Sequence, residues 1–344
     1  MTGYERIAAA MAGRKPDRVP VMLNNFMPAA REAGLTQAQY RWSAERIVEA
    51  HLRAAQKHGL DGIMLDIDTA TLAEAVGVPV SFPEREPARP AGGCLHLLED
   101  IHDWPVPDLR NHPRVDIWLE AAERLVEKCG RDLYVRGHCD QAPFSLAGMI
   151  RGPERWMVDL LTEGQEPHCQ ALLDYCTAVT CRFVKLMTQT HVPMVSNDDS
   201  SAAPGVITPD MYRRWAMPYE RRVVQAAHEA GCQYVLHIGG PARPILADMI
   251  RTGADGFELD HRTNAEAARD AFAGAATLLG NIDASGVLAS GSPAEVARST
   301  RKLLEAFADT PRFILGAGCT LPETTPEENI TAMVQAAREF GGWK

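Results

Sequence analysis

The sequence predicts an α/β fold of the (β/α)8 barrel (TIM barrel) type, and three observations predict it. Short apolar runs alternate with stretches of helical period along most of the chain. Runs such as YVLHI (234–238) and RFILG (312–316) are apolar throughout, the pattern of parallel strands covered on both faces. The 344 residues show no shift of composition between halves. They suit one domain over 1–344, since such barrels run to about 250 residues and beyond with insertions. A doubly wound open sheet is the alternative, but no GxGxxG follows the first strand.

The elements follow in order. Residues 1–13 read as an N-terminal helical extension, followed by a short run at 20–25. A long helix is expected over 37–58, ending at Gly59, and then a first buried strand at 60–66. Residues 78–112 are rich in Pro and Gly and too long for a tight connection. They are expected to run over the top of the domain as a lid or a contact for a homodimer. Strands are expected at 133–137, 193–197, 233–239, 256–260, 276–282 and 312–318. Helices between them are expected at 114–129, 166–190, 208–230 (broken near Pro218), 242–251, 264–273 and 293–308. Thr325-Pro326-Glu327-Glu328 reads as the start of the last helix, with Thr325 as its N-cap.

Bulk properties bound the function. The formal net charge of −10 disfavours nucleic acid or an anionic membrane as partner. No apolar stretch reaches the roughly 18 residues of a membrane span, and the N-terminus lacks the pattern of a signal peptide. A cytoplasmic enzyme is the expectation. Eight cysteines form no CxxC pair, and seven of them sit inside helical or strand patterns as buried thiols.

Strand ends carry the chemistry. In a barrel the C-terminal ends of all strands open on one face, so distant residues line one pocket. His237 precedes two glycines, and Cys319 follows Gly316-Ala317-Gly318. Imidazole and thiolate together suit Zn2+. A third ligand would come from Glu258, Asp260 or His261 at the neighbouring strand end, with Glu258 preferred. Asp198 and Asp199 end another strand, where one would cap a turn and the other hold substrate or act as a base. His138 and Asp140, Asp66 and Asp68, and Asn281 and Asp283 end three more. Asp199 and His138 are the candidates for catalysis, and Asp66, Asp198, Asn281 and Asp283 for binding substrate.

Five segments carry a family resemblance: APFSLAGMIRG (142–152), the stretch from Asp198 to Tyr219, LHIGG (236–240), LGNIDASGVLASGSPAEV (279–296) and GAGCTLPETTPEENI (316–330). With these the chain resembles the uroporphyrinogen decarboxylase-like superfamily. One branch comprises metal-free porphyrinogen decarboxylases, which hold substrate carboxylates with paired arginines near the N-terminus. The corresponding stretch here, NNFMPAAREAG (24–34), lacks that pair. The other branch comprises corrinoid-linked methyltransferases and demethylases, many of which hold zinc through His-x-Cys and a distant Cys. The resemblance places His237 and Cys319 at two of these positions, while Gly239 stands at the third. It implies a zinc-dependent methyltransferase moving a methyl group between a small methylated donor and the corrinoid of a separate protein. Transfer to a zinc-bound thiol without corrinoid is a subsidiary form. The alternatives are a metal-free decarboxylase, with Asp66, Asp199 and His237 handling protons, and a non-catalytic small-molecule binder.

Overall fold

The structure, a computed structural model, describes residues 1–342. Seven strands form one curled parallel sheet: β1 (Gly62–Leu65), β2 (Tyr134–Gln141), β3 (Met194–Asp198), β4 (Gln233–Ile238), β5 (Gly256–Leu259), β6 (Thr277–Ile282) and β7 (Phe313–Ala317). Each pairs in parallel with its successor, so spatial order equals chain order. The expected strands are all present, with ends shifted by a few residues at most, and β2 runs on to Gln141.

The run at 20–25 does not form a strand of its own. It makes a single bridge, Val21 to Leu315. Leu315 N–H donates to Pro20 O at 2.9 Å, Met22 N–H to Leu315 O at 3.0 Å, and Asp61 N–H to Val21 O at 2.9 Å. The segment therefore joins β7 on one side and the start of β1 on the other. It stays short because Pro20 has no N–H to give and a helix starts at Phe26. The Asp61 carboxylate fixes it further, accepting Val21 N–H at 2.9 Å and pairing with Arg18 at 2.7 Å.

Two apolar layers follow from the period-two alternation of strand side chains. Met22, Met64, Tyr134, Met194, Val235, Leu279 and Ile314 point to the concave side of the sheet. The helix Gly3–Met11 closes the bottom of that space with Ile7, Ala10 and Met11. A capping box built on Thr2 and Glu5 fixes where this helix starts. The other layer lies between the sheet and the surrounding helices and includes Trp118, Trp156 and Phe183.

Three helix expectations change, while the break expected near Pro218 is present. The stretch 37–58 is two helices, Gln37–Arg41 and Ala44–His58, because Ser43 turns the chain and caps the second by accepting Arg46 N–H. The stretch 208–230 divides into Pro209–Trp215 and Met217–Glu229. The stretch 242–251 is a tight turn over Arg243–Ile245 and a short helix, Leu246–Ile250. Thr325 does not cap the last helix, which starts at Glu327, because its hydroxyl donates instead to Pro322 O at 2.8 Å.

Much of the 78–112 excursion is strapped along the helix layer. Cys94 and Leu95 N–H donate to Ile150 O, and Arg182 donates to Val106 O and Pro107 O. No helix of the described residues is long and apolar enough to cross a membrane.

Candidate active site

Two residues above the apolar layer, each strand presents its next inward side chain. From Met22, Met64, Tyr134, Met194 and Val235 the step reaches Asn24, Asp66, Arg136, Ser196 and His237. Glu258 joins them from β5. The floor of the sheet is therefore apolar, and the layer over it is polar and almost wholly buried.

Arg136 organises one side of this layer. Its Nε donates to Ser196 Oγ at 2.8 Å and its Nη1 to Glu258 Oε2 at 2.5 Å. Ser196 Oγ also lies 3.2 Å from His138 Nδ1. His138 Nε2 faces Asp198 Oδ2 at 3.7 Å, and that nitrogen has no hydrogen-bond partner. Burial favours neutral imidazole and depresses the His138 pKa, against the pull of Asp198.

Across the site, His237 Nδ1 lies 3.1 Å from Glu258 O. A hydrogen bond there leaves Nε2 to face the lumen. Burial opposes a charge on this ring, but Asp198, Cys319 and Glu258 outweigh it and raise its pKa to about 10. Cys319 approaches the ring from the end of β7 and is the one exposed cysteine among the described residues. On the β1 side, Asn24 Nδ2 bridges Asp66 Oδ2 at 3.1 Å and Thr320 Oγ1 at 2.9 Å. Burial first, then the nearby Asp198, push the Asp66 pKa well up.

The structure thus gathers Asp66, His138, Asp198, His237 and Cys319 around one space. Asp199 turns the other way. Its Oδ1 accepts Ser145 N–H at 2.8 Å from the helix Pro143–Arg151, and its carboxyl group contacts Glu220 of the helix Met217–Glu229. The reason is alternation: with Asp198 inward, Asp199 points to the helix layer. Asp199 is corrected from a catalytic candidate to a buried anchor of that layer.

Glu258 is also corrected. It faces inward as expected, but its carboxylate is engaged by Arg136 rather than turned to His237. Asn281 and Asp283 leave the site as well. Asn281 Nδ2 donates to Asp260 O and Thr263 O, and Asp283 accepts the N–H groups of Ser285 and Gly286. Both line a separate cavity of about 270 Å3 beside Lys302 and His261. Asp260 is held by Arg262, and Asp68 by Arg114.

Zinc, implied by the resemblance, can be tested against these donors. Two of the three expected donors are present, His237 and Cys319. A glycine stands at the third position, and Glu258 is engaged elsewhere. Among the described residues no group of three or more His, Cys, Asp or Glu is arranged to hold a metal. The residues present therefore do not make the expected three-donor site.

The sequence reading missed Arg136, Ser196, Asn24 and Glu220. An arginine inside the apolar run LYVRG was the legible signal for the first. Glu220 gave none, since the sequence around it, MPYERRV, reads as a solvated helix face.

Comparison with known proteins agrees with this architecture. The family model for uroporphyrinogen decarboxylase (URO-D) matches residues 2–340. The chain belongs to the URO-D family. It is 28% identical to the methylcobamide:CoM methyltransferase MtbA of Methanosarcina acetivorans, over 99% of both chains. It is 27% identical to the uroporphyrinogen decarboxylase of Thermus thermophilus, over 97% of both chains. A solved methyltransferase structure from Methanosarcina mazei superimposes with a TM-score of 0.89 over 99% of both chains at 24% identity, which shows the shared fold.

Proposed function

We propose that this protein is a methyltransferase moving a methyl group between a small methylated molecule and the corrinoid of a separate protein. The observation that carries the reading is the His237–Cys319 pair at the open end of the sheet, in a chain similar end to end to methylcobamide:CoM methyltransferases. On this reading the fold is a closed (β/α)8 barrel with residues 20–22 as its eighth stave, which the hydrogen bonds to Leu315 and Asp61 support. Asp66, His138, Asp198, His237 and Cys319 then meet inside one mouth.

The bound corrinoid would supply a cobalt able to give or take the methyl group. With a thiol acceptor, the corrinoid would supply the methyl group and keep the electron pair of its methyl–cobalt bond. The thiolate sulfur forms the new S–C bond, and the thiol proton leaves to a base. His237, protonated at neutral pH, would hold the thiolate sulfur, and Asp198 beside it would take the proton. His138 and Asp66 orient the substrate, and the apolar floor excludes water from below. A zinc at His237 and Cys319 would need a third donor from outside this set, so no step is assigned to it. Eight unpaired cysteines suit a reducing compartment.

The decarboxylase reading is disfavoured by Arg31. It is the only arginine in 24–34, and it is held by the carbonyls of Glu323 and Thr325.

The test is demethylation of methylcobalamin by small thiols, followed by the change in its visible spectrum. Turnover is expected in the wild type, with kcat falling by at least tenfold in His237→Ala and Cys319→Ala. No turnover with any thiol, or full turnover in both variants, would overturn the reading.

A further inference from the structure

His138 ends a hydrogen-bond chain whose direction is fixed at its far end. From β2, Arg136 reaches across the concave side of the sheet to Glu258 of β5, to which its Nη1 donates. Its Nε donates to Ser196 Oγ at 2.8 Å. A guanidinium carries donors only, so Ser196 accepts on that side. The register partner of Ser196 on β2 is His138, whose Nδ1 lies 3.2 Å from the same oxygen. Ser196 is wholly buried, and among the described residues no other acceptor lies within hydrogen-bond distance of its hydroxyl.

The proton of that hydroxyl has one place to go, the lone pair of His138 Nδ1. The ring's own proton then sits on Nε2. The other two states of the ring fit worse. With the proton on Nδ1, Ser196 Oγ would accept twice and its own hydrogen would be stranded, a buried polar group without a partner. The lone pair of Nε2 would also face Asp198 Oδ2 at 3.7 Å, whereas an N–H there is attracted to it. A doubly protonated ring strands the same hydrogen, and burial opposes its charge. At 3.7 Å from Asp198, Nε2 is beyond a hydrogen bond and has no partner, on a residue that is 0% exposed. It is an unmet donor on the Asp198 side of the ring.

We propose that Ser196, held by Arg136, is a positioning residue: it keeps His138 in the tautomer with its proton on Nε2, so that the ring offers the substrate one fixed hydrogen-bond donor. The group that matches it on the substrate is an acceptor, such as a hydroxyl, ether or carbonyl oxygen. A substrate of the same shape without that oxygen leaves the N–H unmet. The tautomer follows from the hydrogen bonds alone, while its use toward a substrate rests on the methyl-transfer reading.

The test reads the tautomer directly. The full-length protein, isotopically labelled at the histidine nitrogens, is examined by long-range proton–nitrogen correlation at neutral pH, where the two tautomers give opposite shifts at the two ring nitrogens. His138 is assigned by the signal lost in His138→Gln and, independently, by its ring contact with Trp118, the centroids being 6.2 Å apart. The wild type is expected to show a proton on Nε2 and none on Nδ1. Ser196→Ala is expected to lose that single form, and Ser196→Thr, which keeps the hydroxyl, to retain it. In the methylcobalamin assay, 2-mercaptoethanol is compared with 1-propanethiol, a chain of the same length without the oxygen. Ser196→Ala is expected to lower the preference for 2-mercaptoethanol about tenfold, the size of one hydrogen bond. A purely structural loss would lower both rates alike. A wild-type ring with its proton on Nδ1 or on both nitrogens, an Nε2–H form that survives Ser196→Ala unchanged, or an unchanged preference would overturn the inference. Failure of the functional reading is distinct: no methyl transfer to either thiol, while the spectra come out as expected.

Discussion

A Cβ built on Gly239 would lie 3.8 Å from Nε2 of His237 and 3.0 Å from the hydroxyl of Ser200. The side chain that is absent here is therefore one that would meet the imidazole on its free side. Ser200 partly fills the gap, accepting Gly239 N–H at 3.2 Å.

Gly239→Cys is expected to create a three-donor metal site with His237 and Cys319. Ser200 must yield a few tenths of an ångström, so Gly239→Cys/Ser200→Ala is the companion variant. Elemental analysis should find about one zinc per chain in the variants, as a three-ligand site predicts, and far less in the wild type. A full zinc complement in the wild type would show that a third ligand exists after all.

The Arg136–Glu258 pair is buried on both sides, with side chains 2% and 6% exposed. Removing one partner strands a buried charge and is expected to cost about 3–5 kcal/mol. Arg136→Met and Glu258→Met should each lose that much in urea unfolding, and the double variant should lose less than either. Additive losses would mean that the two side chains do not depend on each other.

Asp199 and Glu220 form a buried carboxyl pair behind the site. Burial raises the Asp199 pKa to about 6, and burial together with Asp199 raises that of Glu220 further above its usual value. The pair thus holds protons in the folded state that the unfolded chain has released. Its contribution to stability is complete below about pH 4 and declines as pH rises through 6 and beyond, by about 1.4 kcal/mol per pH unit for each proton. Asp140, raised by burial to about 7, adds to the same decline. Glu220→Gln keeps the hydrogen bond without a titrating proton. Its Tm should fall less than that of the wild type between pH 5 and 8. An equally steep fall would place the titration elsewhere.

The same pair explains which part of the site was legible. Asp198-Asp199 is conspicuous in the sequence, but which of two adjacent acids enters the lumen depends on the strand's facing. The sequence reading favoured Asp199 for catalysis, whereas β3 turns Asp198 inward and Asp199 toward Ser145 and Glu220. Asn281 and Asp283 likewise sit at a strand end, as read, yet their hydrogen bonds fix them to local backbone. His237 and Cys319 were found because each stands beside glycines at the end of an apolar run, a local signal that needs no knowledge of neighbours.

By itself the sequence determined the parallel α/β order, the position of nearly every strand, and the two strand ends whose His and Cys meet. These are local properties: apolar runs of strand length, helical periods, and glycine at the turns. Only the tertiary structure decided that residues 20–22 would link β7 to β1 rather than form a full strand. It also decided that Arg136 would engage Glu258 and that Asp66 and Asp198 would lie close enough to interact. Those outcomes depend on groups up to 295 positions apart, Pro20 and Leu315 being the widest of these pairs. Sheet curvature and register bring them together, and no window of sequence encodes either.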